Sequence, residues 1–140
     1  FLLWDLLQEN DWYGAQQVIV LSASSKTGIG LAYALEADPA APSVIGVTSE
    51  RNRGLVSGLG LYDQCLSYDA LADIDTSTPT VIVDMSGSGE ILGRLHQYLG
   101  DNMRQCINVG MTHWGEATTT EGIIRERSEF FLHHRALKSA

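Results

Sequence analysis

The sequence has few of the residues that build disulfide frameworks and metal sites. Its two cysteines, Cys65 and Cys106, are far apart and outside any C-x-x-C pattern, which disfavours a disulfide-stapled or zinc-binding domain. We expect two reduced thiols in the core of a cytoplasmic protein. The four histidines are scattered, and no cysteine or carboxylate joins them at ligand spacing. No metal is therefore expected.

Long apolar runs and positive charge are also scarce. No stretch has the roughly 18 uninterrupted apolar residues of a membrane-spanning helix, so no membrane partner is expected. Lysine and arginine number 9 against 17 acidic residues, which gives a net charge of −8. Affinity for nucleic acid comes from basic side chains on phosphates, so this balance disfavours nucleic acid as a partner. An acidic chain can still bind a small anion through local backbone amides.

The amino terminus lacks an initiator methionine and a helix cap. Phe1-Leu-Leu-Trp-Asp-Leu-Leu7 has the pattern of the middle of a helix, with no capping residue before it. It also lacks the basic leading region of a signal peptide and carries Asp5 inside. We therefore expect this chain to be a piece of a longer protein.

The dominant pattern that the sequence does contain is an alternation of apolar β-branched runs with helical periodicity. Strands are predicted at residues 18–21, 44–48, 64–68, 80–84 and 105–109, and helices at 28–37, 50–59 and 90–99. This alternation predicts a single α/β domain, a doubly wound parallel sheet with helices on both faces. Because the first strand carries the glycine turn, strand order 3-2-1-4-5 is expected. Residues 130–132 are a candidate sixth strand.

The first strand ends in a cluster of small residues, where α/β folds bind the phosphates of a nucleotide. The dinucleotide fingerprint G-x-G-x-x-G, placed to end at Gly30, has Ser25 and Thr27 at its first two glycine positions. Hydroxyls and one cation could compensate for those glycines. The candidate ligands are Ser24, Ser25, Lys26, Thr27, Gly28 and Gly30. The alternative is a plain connection in a fold that has lost its nucleotide, because Thr27 puts a β-branch where backbone should meet phosphate.

The sequence lacks the motifs of three other classes of nucleotide- or cofactor-binding protein. A P-loop needs G-x-x-x-x-G-K-[ST], and Val20 and Ser25 stand where its glycines belong. Short-chain reductases use Tyr-x-x-x-Lys, and none of the five tyrosines has a lysine four residues on. Methyl transfer from S-adenosylmethionine is disfavoured, because no carboxylate ends the second strand at the required place.

Short motifs follow one another in an order typical of one family. In chain order they are Gly28-Ile-Gly30, Val44-Ile-Gly-Val-Thr-Ser49, Leu59-Gly-Leu-Tyr-Asp63, Val81-Ile-Val-Asp-Met-Ser-Gly87 and Val109-Gly110. Over residues 1–114 the chain resembles the cofactor-binding half of the medium-chain dehydrogenases/reductases, the quinone-reductase-like members especially. The stretches Asn10-Asp-Trp-Tyr-Gly14, Ser22-Ala-Ser-Ser-Lys-Thr27 and Met111-Thr-His-Trp114 look closer to an uncharacterised branch, known as a domain of unknown function.

The resemblance implies the cofactor half of a two-domain enzyme. Residues 1–140 would be its Rossmann-like dinucleotide-binding domain, without the N-terminal catalytic domain of that family. Tyr68 would then flank the adenine. Ser86, Gly87 and Gly110 would approach the nicotinamide ribose.

The end of the second strand indicates which nicotinamide cofactor to expect. Ser49, Arg51 and Arg53 form a polar, cationic cluster that favours the 2′-phosphate of NADP(H) over NAD(H). Glu50 begins a helix instead, where it suits the helix dipole. His113 lies just past the fifth strand and titrates near neutrality, so it is a candidate proton donor after hydride transfer. Such a histidine also commonly serves as a polar cap on a loop.

Two functions follow from this sequence. The first is the NADP-binding domain of an oxidoreductase that reduces enones, quinones or aldehydes by hydride transfer, with a small carbonyl or alkene substrate. The second is a non-catalytic Rossmann-like module, either a nucleotide sensor or a protein-interaction domain. In both cases an edge strand near Phe130 is a candidate surface for pairing with a second copy in a homodimer.

Overall fold

A computed structural model of the chain describes residues 2–85, 89–109, 128–132 and 135–138. The helices are α1 (Leu2–Glu9), α2 (Lys26–Glu36), α3 (Glu50–Gly58) and α4 (Gly89–Leu99). The strands are β1 (Gln17–Leu21), β2 (Ser43–Thr48), β3 (Gln64–Ser67), β4 (Thr80–Asp84), β5 (Met103–Val109), β6 (Ser128–Leu132) and β7 (Arg135–Lys138). Short 3-10 helices cover Asp11–Gly14, Tyr68–Asp73 and Gly100–Asn102.

The strands form one sheet in the order β3-β2-β1-β4-β5-β6-β7. Strands β1 to β5 are all parallel in the predicted order 3-2-1-4-5. The sixth strand is also confirmed, because β6 pairs with β5 in parallel. The expectation of an edge at Phe130 is wrong, because the antiparallel strand β7 pairs with β6 on its other side. Among the described strands, the edge of the sheet on this side is therefore β7.

The central strands β1, β2 and β4 are buried on both faces of the sheet, and each face packs against different helices. Val18 and Val20 of β1 point to one side, where they join Leu31 of α2 in a core that also takes in α1. Ile19 of β1 points to the other side and joins Leu92 of α4. Continuous apolar strands are what a parallel sheet covered on both faces requires.

A left-handed turn connects α1 to β1. Asp11, Trp12 and Tyr13 have φ values of 54°, 57° and 54°, a conformation that L-residues rarely adopt. Trp12 is nevertheless only 8% exposed and belongs to the core on the α1 face. The N–H of Gln16 then donates to the carbonyl of Pro79 at 2.8 Å, which fixes the start of β1 beside β4.

The sheet has its switch point between β1 and β4. The chain proceeds outward from β1 to β2 and β3 on one side, then returns to β4 on the other side of β1. At such a point the connections leave neighbouring strands in opposite directions, and a crevice opens at their carboxyl ends. The fold therefore brings the β1–α2 connection and the ends of β2, β4 and β5 to one edge of the sheet.

Candidate functional site

The β1–α2 turn (residues 22–25) ends in a capped helix N-terminus. Ser25 is the N-cap of α2, and its Oγ accepts a hydrogen bond from the Gly28 N–H at 3.0 Å. Lys26 and Thr27 form the exposed first turn of the helix. Their backbone N–H groups have no acceptor within the helix, since the first four amides of a helix never do. These amides and the helix dipole make the turn a candidate anion site.

Gly28 allows α2 to approach the turn closely. A Cβ at Gly28 would lie 3.0 Å from the Ser22 carbonyl oxygen and 3.0 Å from the Ser25 Oγ. The sequence placed Gly28 among the phosphate ligands, and the structure adds a packing role at this residue. Gly30, one residue further along α2, is half-buried.

Two tyrosine hydroxyls bind the backbone of the turn. The Ser22 N–H donates to the Tyr68 hydroxyl at 2.9 Å. The Tyr62 hydroxyl donates to the Ala23 carbonyl at 2.9 Å and lies 3.2 Å from the Gly28 carbonyl. Burial raises the pKa of both tyrosines, so both hydroxyls stay protonated at neutral pH. Sequence reasoning singled out Tyr68 for the adenine and missed Tyr62.

The turn is also joined to the end of β2. The Ser24 Oγ accepts a hydrogen bond from the Thr48 hydroxyl at 3.2 Å and one from the Asn52 side-chain amide at 3.4 Å. Ser49 occupies the N-cap position of α3 without a side-chain capping bond. The structure thus brings Ser24 of the turn, the predicted Ser49 and the start of α3 to one corner of the sheet.

We expect Thr48→Val to lower the free energy of unfolding by about 1 kcal/mol, the usual contribution of one hydrogen bond. Thr48 is 1% exposed, and valine keeps its shape while removing the hydroxyl that Ser24 accepts. Urea denaturation would measure the change. The control is Thr76→Val, which alters an exposed threonine. Equal stability of the Thr48 variant and wild type would contradict a structural role for this bond.

The two predicted arginines have different surroundings. Arg53 is held by Glu50, with its Nε 3.0 Å from Oε2 and a terminal nitrogen 2.9 Å from Oε1. This hydrogen bond lowers the pKa of Glu50. Arg51 is exposed, and no ion pair involving it occurs within the described residues. Of the predicted cationic pair, Arg51 is therefore the side chain that is available to a ligand.

Two polar side chains are buried where β4 and β5 end. Asp84 and Asn108 are both 0% exposed, and they are register partners on these neighbouring strands. Burial, and to a smaller extent the charge of Asp84, raises the pKa of Tyr68. Met85 follows, with its Sδ 3.5 Å from the Ser25 Oγ. The predicted residues Ser86, Gly87, Gly110 and His113 lie outside the described residues.

A cleft of about 360 Å³ lies away from this edge of the sheet. It is lined by the end of α2, the start of β2 and the segment before β3, including Asp38 and Asp63. Both carboxylates already accept backbone N–H bonds, Asp38 from Ala40 and Asp63 from Val44. The described residues contain no group of three or more potential metal ligands and no helix able to cross a membrane.

The fold and the β1–α2 turn at the carboxyl edge of the strands define an α/β protein with a Rossmann-like parallel sheet and a helix N-terminus at its switch point. The chain belongs to the DUF2855 family of proteins of unknown function, whose model matches residues 1–133. No curated protein matches the sequence.

Proposed function

We propose that this chain is the NADP(H)-binding domain of an oxidoreductase of the medium-chain dehydrogenase/reductase type. The observation that carries the proposal is the β1–α2 turn, which presents the N-terminus of an 11-residue helix at the switch point of the sheet. Dinucleotide phosphates bind at this position in doubly wound folds. The whole enzyme would act on an enone, quinone or aldehyde in the cytoplasm.

The donors at this turn fit a pyrophosphate group. The amides of Lys26 and Thr27 begin α2, both side chains are exposed, and one of them is a cation. Phosphate oxygens are acceptors only, so amides, hydroxyls and an ammonium group match them in chemistry and charge. Bound NADPH would supply the hydride, and the residues described here bind and orient the cofactor.

Calorimetric titration of the purified chain with NADPH, and in parallel with NADH, tests the proposal. We expect saturable binding of NADPH and weaker binding of NADH. No heat and no thermal shift at millimolar cofactor would contradict the proposed function, because a functional dinucleotide site should be saturated under those conditions.

Arg51 is the residue from which we expect the preference for NADPH. Arg51→Ala should raise the Kd of NADPH about tenfold, because it removes one charged contact to the 2′-phosphate. The Kd of NADH should not change. Arg53→Ala is the matched control, since Arg53 is already held by Glu50 and should affect the Kd less. An equal loss of affinity for NADPH and NADH in the Arg51 variant would refute the assignment of Arg51 to the 2′-phosphate.

A second candidate function is a non-catalytic Rossmann-like module. The contact of Met85 with Ser25 favours it, because the Ser25 hydroxyl, a predicted phosphate ligand, is already engaged by the Met85 Sδ at 3.5 Å and by the Gly28 N–H. Binding of NADPH without reductase activity in the full-length gene product would support this candidate.

In either case β7 is our proposed surface for a homodimer, and light scattering would measure the oligomeric state.

A further inference from the structure

Tyr62 and Tyr68 reach the β1–α2 turn from opposite faces of the sheet. They stand just before and just after β3, which is separated from β1 by β2. Tyr62 packs against the core on the α1 and α2 side. Tyr68 packs against the core on the α4 side. The Tyr62 ring lies against Gly46 of β2, and both hydroxyls bind the turn that follows β1.

The two hydroxyls act where the turn is conformationally demanding. Ser22 has a φ of 63°, which glycine adopts readily and other residues do not. The Tyr68 hydroxyl accepts the N–H of this residue. The Tyr62 hydroxyl binds the carbonyl of the next residue, Ala23. Both ends of the two-residue segment are thus held by side chains from outside the turn.

Two further backbone N–H groups of the turn are held by main-chain bonds. The Ala23 N–H donates to the Val47 carbonyl at 2.9 Å, and the Ser25 N–H donates to the Ser22 carbonyl at 3.0 Å. These bonds fix where α2 begins and which way the amides of Lys26 and Thr27 face. A displacement at Ser22 or Ala23 would move those amides as well.

We propose that Tyr62 and Tyr68 are positioning residues, which hold the β1–α2 turn in its anion-binding conformation at Ser22, a serine with a backbone angle that favours glycine. This inference rests on the proposed function of the same turn. Glycines reach the required backbone angles without steric cost. Here serine occupies the demanding position, and two hydrogen bonds from the flanks of β3 stabilise it. Tyr68 therefore affects cofactor binding through the Ser22 backbone rather than through contact with the adenine.

The test is a set of hydroxyl deletions with a rescuing substitution. Tyr62→Phe and Tyr68→Phe keep the rings and remove one bond each, and we expect each to raise the Kd of NADPH about fivefold. Adding Ser22→Gly should restore most of the affinity, because glycine adopts the same φ without help. Tyr33→Phe is the control, since Tyr33 lies on α2 with 68% exposure and should leave the Kd unchanged.

The outcomes separate this inference from the proposed function. An unchanged Kd in both phenylalanine variants, or no rescue by Ser22→Gly, overturns the positioning role. If wild type fails to bind NADPH, the proposed function fails. The positioning role is then tested on the cofactor-free protein by NMR, from the backbone amide resonances of Lys26 and Thr27. Shifted amide resonances in the phenylalanine variants, returned by Ser22→Gly, support the positioning role. Unshifted resonances overturn it.

Discussion

Gly46→Ala is expected to lower the free energy of unfolding by about 2 kcal/mol, within the usual range for overpacking a core. A Cβ at Gly46 would lie 2.8 Å from Cδ1 and 2.9 Å from Cγ of Tyr62, and 3.0 Å from the Cβ of Ala23. The ring cannot retreat without losing its bond to the Ala23 carbonyl. Urea denaturation would measure the loss.

Substitution of a second glycine, Gly54, separates the cost of crowding at Gly46 from the general effect of replacing glycine by alanine. A Cβ at Gly54, on α3, would meet nothing within 4 Å. Gly54→Ala should therefore stabilise the protein by about 0.5–1 kcal/mol through helix propensity. In the double variant Gly46→Ala/Tyr62→Leu, the decrease in the free energy of unfolding should be smaller than the sum of the decreases in the two single variants, because the two residues are in contact. Additive losses would show that the ring does not contact Gly46.

Gly28→Ala is expected to raise the Kd of NADPH by at least tenfold, about 1.4 kcal/mol of binding free energy. The added methyl group would lie 3.0 Å from both the Ser22 carbonyl oxygen and the capping Ser25 Oγ. Neither neighbour is the end of a long flexible side chain, so the turn itself must move. Stability should fall by only about 1 kcal/mol, because the helix propensity of alanine offsets part of the crowding.

Calorimetry on the Gly28 variant would measure the loss of affinity, with Gly54→Ala as the control that also adds a methyl group to a helical glycine. The control should keep the wild-type Kd. Ser25→Ala offers a second comparison, because it removes the cap and creates no clash. A Gly28→Ala protein that binds NADPH as tightly as wild type would contradict our assignment of the turn as the phosphate site.

The order of the sheet could be predicted because it depends on local patterns. Residues 80–84 form a strand with the predicted bounds, since an apolar run there follows Pro79 and precedes polar residues. The outer elements were less predictable. The helical spacing predicts that Leu55, Val56 and Leu59 share the buried side of the helix expected at 50–59. Val56 is buried as expected, but Leu55 and Leu59 are 67% and 41% exposed. The helix lies near the edge strand β3, where the sheet offers less surface to cover.

The candidate site was predictable only in part, because the sequence shows which residues are adjacent along the chain but not which ones meet in space. Ser24, Ser25 and Lys26 could be found because they directly follow a strand. Tyr62 could not, since it comes from a segment beyond the next strand. Its one signal was Gly46, because a glycine inside a strand often marks the close approach of another group.

The left-handed turn at Asp11–Gly14 has consequences for the order of folding. Its three non-glycine residues with positive φ each cost about 1–2 kcal/mol. This cost is offset only once Trp12 enters the core. The turn should therefore form late, after β1 and β4 have paired, and α1 should dock onto a sheet that already exists. The same helix should detach first under stress, so limited proteolysis near residue 10 should precede global unfolding.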